Sequence, residues 1–254
     1  MKKLKIGIIG VGRLGYEHAC NIANRVPGSE LVAIADANFD RAKQVAEELG
    51  VTAVYNDPKA LCADPNVEAV AIITNTASHV EMIKIAMDAG KHVFCEKPLA
   101  DTVEKCKEAE AIIAAHPELT FMLGFMRRYD HSYQVAKKKM ENGDIGDVIL
   151  VRCYSQDPIS IIEGTLEYAP RSGGQFIDMS IHDFDLIRWL TGSEVKELWA
   201  TGGCYEFKQY KDWDDGDNVS GLMKMENDAM AFFFAGRAAA LKSLERVVQR
   251  LILL

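Results

Sequence analysis

The start of the chain holds the pattern that most constrains its fold. Leu4–Ile9 is an apolar run, as expected for a strand that is covered on both faces of a parallel sheet. Gly10, Gly12 and Gly15 follow with the spacing G-x-G-x-x-G, and helical periodicity begins directly after them. This spacing alone occurs by chance, but between a strand and a helix it predicts the first turn of a dinucleotide-binding domain.

Each glycine has its own role in such a turn. Gly10 permits the tight bend, Gly12 lets the backbone approach a pyrophosphate, and Gly15 allows the helix to pack closely on the strand. The helix N-terminus adds the positive end of a dipole. We therefore expect the cofactor to contact these three glycines together with Arg13 and Leu14.

Asp36 lies at the predicted end of the second strand, about twenty residues beyond Gly15. A carboxylate there can accept hydrogen bonds from both ribose hydroxyls of NAD, and it repels the 2′-phosphate of NADP. The alternative is an aspartate that merely caps the next helix. Enzymes that use S-adenosylmethionine also have a glycine-rich first turn, so the turn alone leaves the chemistry open. Together with Asp36 it predicts NAD as the cofactor.

The strand pattern recurs through the first half of the chain, at 30–36, 68–74, 92–96 and 120–126. Helical segments lie between these strands, at 14–25, 39–49, 79–89 and 103–115. Ser78 and Glu81 have the spacing of a capping box at the start of one of them. Strands that alternate with helices of this length predict the α/β class, with a Rossmann doubly wound parallel sheet over residues 1–124.

The pattern changes in the second half of the chain. After a helix at about 129–141, longer strand-like runs occupy 148–154, 195–205, 219–225 and 229–235. One further helix, at about 175–190, interrupts them. We therefore expect an α+β second domain over residues 125–254, built on a largely antiparallel sheet.

Composition argues against several classes of function. The net charge of −8 over 254 residues repels nucleic-acid phosphates, so no nucleic-acid partner is expected. The apolar runs are far shorter than the roughly 18 residues that suggest a membrane span. The six cysteines include no C-x-x-C pair, so no metal site is predicted. Reduced thiols fit a cytoplasmic protein best.

Two polar patterns suggest chemistry at the cofactor. Lys97 follows a predicted strand, where ligands of open α/β sheets bind, and its bond to Pro98 is a candidate for the cis isomer. Asp178 and His182 are four residues apart and can meet on one helix face. Histidine suits a base that removes a hydroxyl proton, and a carboxylate can orient it. The alternatives are a solubilising lysine and a histidine at a domain boundary that a neighbouring aspartate satisfies.

Four segments in this order resemble the Gfo/Idh/MocA oxidoreductases and, within them, the inositol 2-dehydrogenases: GVGRLG, EKPLA, GFMRRYD and DMSIHDFDLIRWL. The resemblance covers residues 4–237. It implies an NAD-dependent dehydrogenase that passes hydride from a ring carbon of a cyclic polyol, above all myo-inositol, to NAD. The alternatives are oxidation of another sugar or cyclitol, and an NAD-binding protein without turnover.

The resemblance also implies roles for individual residues. His182 would be the base, Asp178 would orient it, and Lys97 would stabilise the developing negative charge of the reacting hydroxyl.

Further residues would bind the two ligands. Substrate contacts are expected from Arg127 and Tyr129, in the GFMRRYD segment, and from Asp157. Five residues near the ends of the fourth and fifth strands would line the cofactor cleft: Thr74, Asn75, Thr76, His79 and Glu96.

The last residues, 238–254, do not resemble the family, which continues with further strands and a substrate-contacting tyrosine. We therefore expect a second domain that is incomplete at its C-terminus. The spacing of Leu241, Leu244, Val248 and Leu251 predicts an amphipathic helix that docks onto the sheet. The open face of that sheet would associate with further copies of the chain, so a homo-oligomer is expected.

Overall fold

A computed structural model describes residues 2–239 and 252–253. The chain divides into two compact units, residues 1–124 and 125–254.

The first unit contains a six-stranded sheet in the order β3-β2-β1-β4-β5-β6, and all of its neighbouring strands run parallel. The predicted doubly wound parallel sheet is therefore confirmed. The strands are Leu4–Ile9 (β1), Ser29–Ala35 (β2), Ala53–Tyr55 (β3), Ala69–Ile72 (β4), His92–Cys95 (β5) and Phe121–Leu123 (β6).

Five helices connect these strands: Arg13–Asn24 (α1), Phe39–Leu49 (α2), Pro58–Ala63 (α3), His79–Asp88 (α4) and Val103–Ala114 (α5). Successive strand residues point to opposite faces of the sheet, so the unit has two apolar cores. Val70 and Ile72 of β4 belong to one core, whereas Ala71 and Ile73 belong to the other. Both faces of the sheet are thus covered, which explains why the strands are apolar almost throughout.

Local signals account for most helix boundaries in this unit. Asn38 accepts a hydrogen bond from the backbone N–H of Arg41 and so caps α2, and Gly50 ends that helix at φ +72°. The predicted capping box of Ser78 and Glu81 is wrong. The Ser78 hydroxyl instead donates to the Asn75 carbonyl at 2.9 Å and lies 2.8 Å from the Thr74 hydroxyl, because a 3-10 turn precedes α4.

The elements β3 and α3 are absent from the sequence-based prediction. With three and six residues they are too short to show periodicity. A signal for α3 does exist, because Asp57 caps the helix and Pro58 occupies its first turn.

The second unit contains a five-stranded mixed sheet in the order β11-β7-β10-β9-β8. Strands β7 and β10 pair in parallel, and the other described pairs are antiparallel, so the predicted largely antiparallel sheet is confirmed. The strands are Leu150–Pro158 (β7), Val195–Gly203 (β8), Asn218–Met225 (β9), Met230–Ala239 (β10) and Ile252–Leu253 (β11).

Helices cover one face of this sheet. They are His131–Glu141 (α6), Ile162–Tyr168 (α7) and Ile181–Thr191 (α8), and a π-helical turn, Phe176–Ser180, leads into α8. Leu186, Ile187 and Leu190 of α8 share a core with Val151 of β7 and Phe233 of β10.

The predicted helix over 238–254 is wrong where the structure describes it. Residues 238–239 end β10, and residues 252–253 form β11, which pairs with β7. The four apolar positions that the helix would present, Leu241, Leu244, Val248 and Leu251, lie outside the described residues. Among the described helices, none combines the length and apolar character needed to cross a membrane.

A buried aspartate organises the connection between β8 and β9. The Asp217 carboxylate accepts backbone N–H bonds from Tyr205 at 2.9 Å, from Glu206 at 2.7 Å and from Phe207 at 2.7 Å. Asn218 Nδ2 donates a fourth bond, at 2.9 Å. Burial raises the pKa of Asp217, but these hydrogen bonds outweigh burial and hold it below its usual range.

Asp217→Asn should lower the free energy of unfolding by about 3 kcal/mol at pH 7, because an amide cannot accept all four bonds. The depressed pKa means that the carboxylate stabilises the fold above its unfolded pKa of about 3.9. That contribution disappears as pH falls through the folded-state pKa. Urea unfolding at pH 7 and at low pH should therefore show that the difference in free energy of unfolding between the wild type and Asp217→Asn becomes smaller in acid. Exposed Asp212 of the same connection provides the control, and equal losses in Asp212→Asn and Asp217→Asn would contradict this account.

Candidate active site

The glycine turn between β1 and α1 has the geometry of an anion site. Gly10 has φ +91°, and a Cβ there would lie 2.6 Å from the Ile73 carbonyl oxygen. A Cβ on Gly15 would lie 2.0 Å from the Gly10 carbonyl oxygen, so α1 packs against the turn only because both residues are glycine. Around Gly12, in contrast, a Cβ would meet nothing within 4 Å.

The N-terminus of α1 suits a pyrophosphate. Gly12 occupies the cap position, no side chain caps the helix, and its first turn holds no acidic residue. Arg13 and Leu14 are exposed beside it. Backbone N–H groups and the helix dipole therefore favour an anion here, and the residues present fit a dinucleotide.

Asp36 connects the end of β2 to the glycine turn. Its Oδ2 accepts the Val11 N–H at 2.7 Å, and its Oδ1 accepts the Asn38 N–H at 2.8 Å. Because Asn38 caps α2, the interpretation of Asp36 as the helix cap is wrong. Arg41 Nε donates to the Val11 carbonyl at 3.1 Å, which the sequence analysis missed.

The end of β4 combines exposed and buried residues. Asn75 is exposed and Thr74 is half-buried, whereas Thr76 and His79 are buried. Burial lowers the pKa of His79. His79 Nδ1 lies 2.8 Å from the Pro98 carbonyl and Nε2 lies 3.3 Å from the Thr74 carbonyl, so a neutral ring donates best from Nδ1. The ring thus links the end of β4 to the segment that follows β5.

Lys97 follows β5 within a network of hydrogen bonds, and its peptide bond to Pro98 is cis. Glu96 Oε2 accepts the Lys97 backbone N–H at 3.0 Å. Glu96 Oε1 lies 2.9 Å from His18 Nε2, on α1. His18 was missed because its partner lies 78 positions away in the sequence. Glu96 therefore fixes the backbone from which the Lys97 side chain extends.

In the second unit, Asp178 lies in the π-helical turn and His182 lies in the first turn of α8. The predicted single helix over 175–190 is thus divided, and π-helical turns often mark functional positions. Asp178 Oδ2 accepts a hydrogen bond from Arg237 at 2.7 Å. Arg237, near the end of β10, also reaches Asp157 Oδ2 at the end of β7, at 3.3 Å. Its side chain is 4% exposed.

Two neighbouring arginines of the second unit bind carboxylates of α8. Arg127 is buried and donates to Asp183 and, at 2.7 Å, to Ser155 Oγ. Burial raises the pKa of Asp183, while Arg127 and Ser155 act to lower it. Arg128 binds Asp185 through two hydrogen bonds, of 2.8 and 2.7 Å.

The three residues that were predicted to bind substrate therefore have different surroundings in the structure. Tyr129 is 61% exposed, whereas Arg127 is buried and Asp157 forms an ion pair with Arg237. The described residues hold no group of three or more His, Cys, Asp or Glu side chains that could bind a metal ion.

Comparison with known proteins agrees with this geometry. Residues 4–125 match the family model described as "Oxidoreductase family, NAD-binding Rossmann fold". Residues 133–251 match the "GFO/IDH/MocA C-terminal domain", so the match extends past residue 237.

Several of the similar proteins are inositol dehydrogenases. The chain is 37% identical to "Myo-inositol 2-dehydrogenase" of Thermotoga maritima, over 93% of this chain and 69% of the relative. It is 35% identical to "scyllo-inositol 2-dehydrogenase (NAD(+))" of Bacillus subtilis, over 93% and 68%. A crystal structure of scyllo-inositol dehydrogenase from Lactobacillus casei with bound NAD(H) and scyllo-inositol has 40% identity and a TM-score of 0.88, over 94% of this chain and 71% of that one.

The parallel sheet and the glycine turn fit an NAD-binding domain, and the family match identifies an oxidoreductase with NAD as its cofactor. The chain belongs to the Gfo/Idh/MocA family.

Two glycine variants separate folding from cofactor binding. Gly12→Ala should keep the melting temperature, because its Cβ meets no atom, yet weaken NAD binding at least about tenfold by obstructing the pyrophosphate. Gly15→Ala should lower the melting temperature as well, because its Cβ collides with the Gly10 carbonyl. Thermal unfolding and titration calorimetry measure both effects. Wild-type NAD affinity in Gly12→Ala would refute the assignment of the turn.

Proposed function

We propose that this protein oxidises one ring hydroxyl of a cyclic polyol, with myo-inositol as the first candidate, to the ketone. The observation that carries the proposal is its 35–40% identity to inositol dehydrogenases over more than two thirds of their length. Lys97, Asp178 and His182, the residues that the chemistry requires, are all present in this chain.

The reaction needs a base for the hydroxyl proton. His182 acts as that base, because imidazole titrates near neutral pH. The Asp178 carboxylate orients the ring and stabilises its protonated form, and Lys97 donates a hydrogen bond to the developing alkoxide. When NAD is bound, it accepts the hydride from the same carbon.

The cofactor residues share two tasks in this proposal. Gly10, Gly12, Arg13, Leu14 and Gly15 bind the pyrophosphate, and Asp36 binds the ribose hydroxyls. Thr74 and Asn75 face the rest of the dinucleotide. Three further residues support the site from behind. Thr76 and His79 are buried, and the side chains of His79 and Glu96 contact the Pro98 carbonyl and His18, respectively.

Among the substrate candidates, exposed Tyr129 contacts the polyol directly. Arg127 acts through Asp183 and Ser155, which it binds. Asp157 accepts a hydrogen bond from a substrate hydroxyl, and Arg237 holds the Asp157 carboxylate in place. Residues 1–124 thus serve NAD binding, and residues 125–254 serve the substrate. Six free cysteines support a reducing, cytoplasmic location.

Turnover tests the proposal directly. Wild-type protein should produce NADH with myo-inositol or scyllo-inositol, measured at 340 nm, in preference to glucose. His182→Gln should lower kcat by about 10²- to 10⁴-fold and leave NAD affinity unchanged, because the base acts only in the chemical step. His131→Gln is the control, since that histidine is exposed on α6. The proposal fails if neither inositol yields NADH, or if both histidine variants keep wild-type kcat.

We further propose that the chain forms a homo-oligomer through the face of the second-unit sheet that the described helices leave uncovered. Trp199, Leu222 and Tyr154 lie exposed on that face, and Phe232 pairs with Leu222 across β9 and β10. A contiguous apolar face of this kind favours a protein partner. Light scattering should give a mass above 28.2 kDa for the wild type and a monomer for Trp199→Glu/Leu222→Glu. A wild-type protein that stays monomeric at high concentration would contradict the proposed homo-oligomer.

A further inference from the structure

Arg237 connects three elements of the second unit through charge. It lies near the end of β10, and its backbone N–H donates to the Asp217 carbonyl at 2.9 Å. Its Nη2 donates to Asp178 in the π-helical turn at 2.7 Å, and its Nη1 donates to Asp157 at the end of β7 at 3.3 Å. Since the Arg237 side chain is 4% exposed, this contact is shielded from solvent.

We propose that Arg237 is a positioning residue for the oxidation: it holds the Asp178 carboxylate ionised and aimed, so that Asp178 can serve His182. This inference rests on the function proposed above. Arg237 itself donates to no substrate atom in this scheme.

The charge balance of the cluster requires such a residue. The Asp157 and Asp178 side chains are 24% and 14% exposed, so each carboxylate has lost most of its hydration. Two carboxylates that have lost most of their hydration repel when they lie close together, and without a cation between them one would take up a proton. A protonated Asp178 could no longer stabilise a histidinium ion. The guanidinium therefore keeps Asp178 in the form that a base partner needs.

The shape of the side chain matters as much as its charge. Arginine presents its two terminal nitrogens to two different carboxylates, and each nitrogen has its own hydrogen-bond direction. A lysine ammonium is a single point charge on a flexible stem, so it can neutralise the pair but cannot fix both carboxylates at these positions. Arg237→Lys should therefore retain part of the function and Arg237→Met almost none.

A double-mutant cycle tests whether Arg237 acts through Asp178. Arg237→Met should lower kcat about 100-fold, whereas any change in KM reflects the loss of its second partner, the substrate contact Asp157. In the Asp178→Asn background, the same change should cause less than about a threefold further loss, because its target is already gone. Losses that multiply in the double variant would overturn the proposal. If Arg237→Met does not fold, the same double-mutant cycle is measured with Arg237→Lys, for which an intermediate kcat is expected.

Matched measurements exclude a general structural effect. Arg188→Met removes another arginine–carboxylate pair of the second unit, with Glu194, that takes no part in the scheme. It should keep wild-type kcat. NAD affinity and melting temperature of Arg237→Lys should also match the wild type, and a kcat loss that only follows a fall in melting temperature would count against a positioning role.

A structural readout separates this inference from the proposed function. If wild-type protein oxidises neither inositol, the proposed function fails, and the double-mutant cycle is repeated with another sugar or cyclitol that the protein does oxidise. Independently of turnover, a crystal structure of Arg237→Lys should show the Asp178 carboxylate displaced from its wild-type position. An unmoved Asp178 would refute the role of Arg237 whatever the substrate.

Discussion

The first unit depends on one close approach, that of Gly15 in α1 to the carbonyl oxygen of Gly10. A single methyl group on Gly15 would lie 2.0 Å from that oxygen, so the helix could not start where it does. Because α1 starts there, its uncapped N-terminus faces open space at Gly12. Asp36 then fixes the turn to the end of β2 through the Val11 N–H. One steric constraint thus places both groups that a dinucleotide requires: N–H donors for its phosphates and a carboxylate for its ribose.

Buried charge has the corresponding role in the second unit. Arg127 binds Asp183, and Arg237 binds Asp178 and Asp157, with both arginines 5% exposed or less. A buried carboxylate that loses its arginine would be left without compensation, which destabilises a protein far more than an exposed pair does. These pairs also connect the helical layer to strands β7 and β10. The strands, the π-helical turn and α8 are therefore held in register by ion pairs as well as by the apolar core.

The sequence predicted periodic elements well and long-range partners poorly. The bounds of β1 and α2 agree with the structure residue for residue, because each has a full apolar pattern and a glycine at its end. Short elements such as α3 lack that pattern, and the π-helical turn divides a helix whose periodicity looks continuous. The partners of Glu96 and Asp178, namely His18 and Arg237, lie 78 and 59 positions away. Periodicity describes neighbours within about two turns, so it cannot identify such contacts.

The two units suit ligands of different charge. A dinucleotide is anionic, and the first unit offers it partial positive charge from an uncapped helix whose first turn holds no acidic residue. A polyol is neutral and offers only hydroxyls, so a site for it needs fixed acceptors rather than net charge. A carboxylate can accept about four hydrogen bonds, and an arginine that occupies one or two of them fixes the directions of the others. In the proposed function, pairing Asp157 and Asp178 with Arg237 therefore creates oriented acceptors and leaves little net charge near the neutral ring.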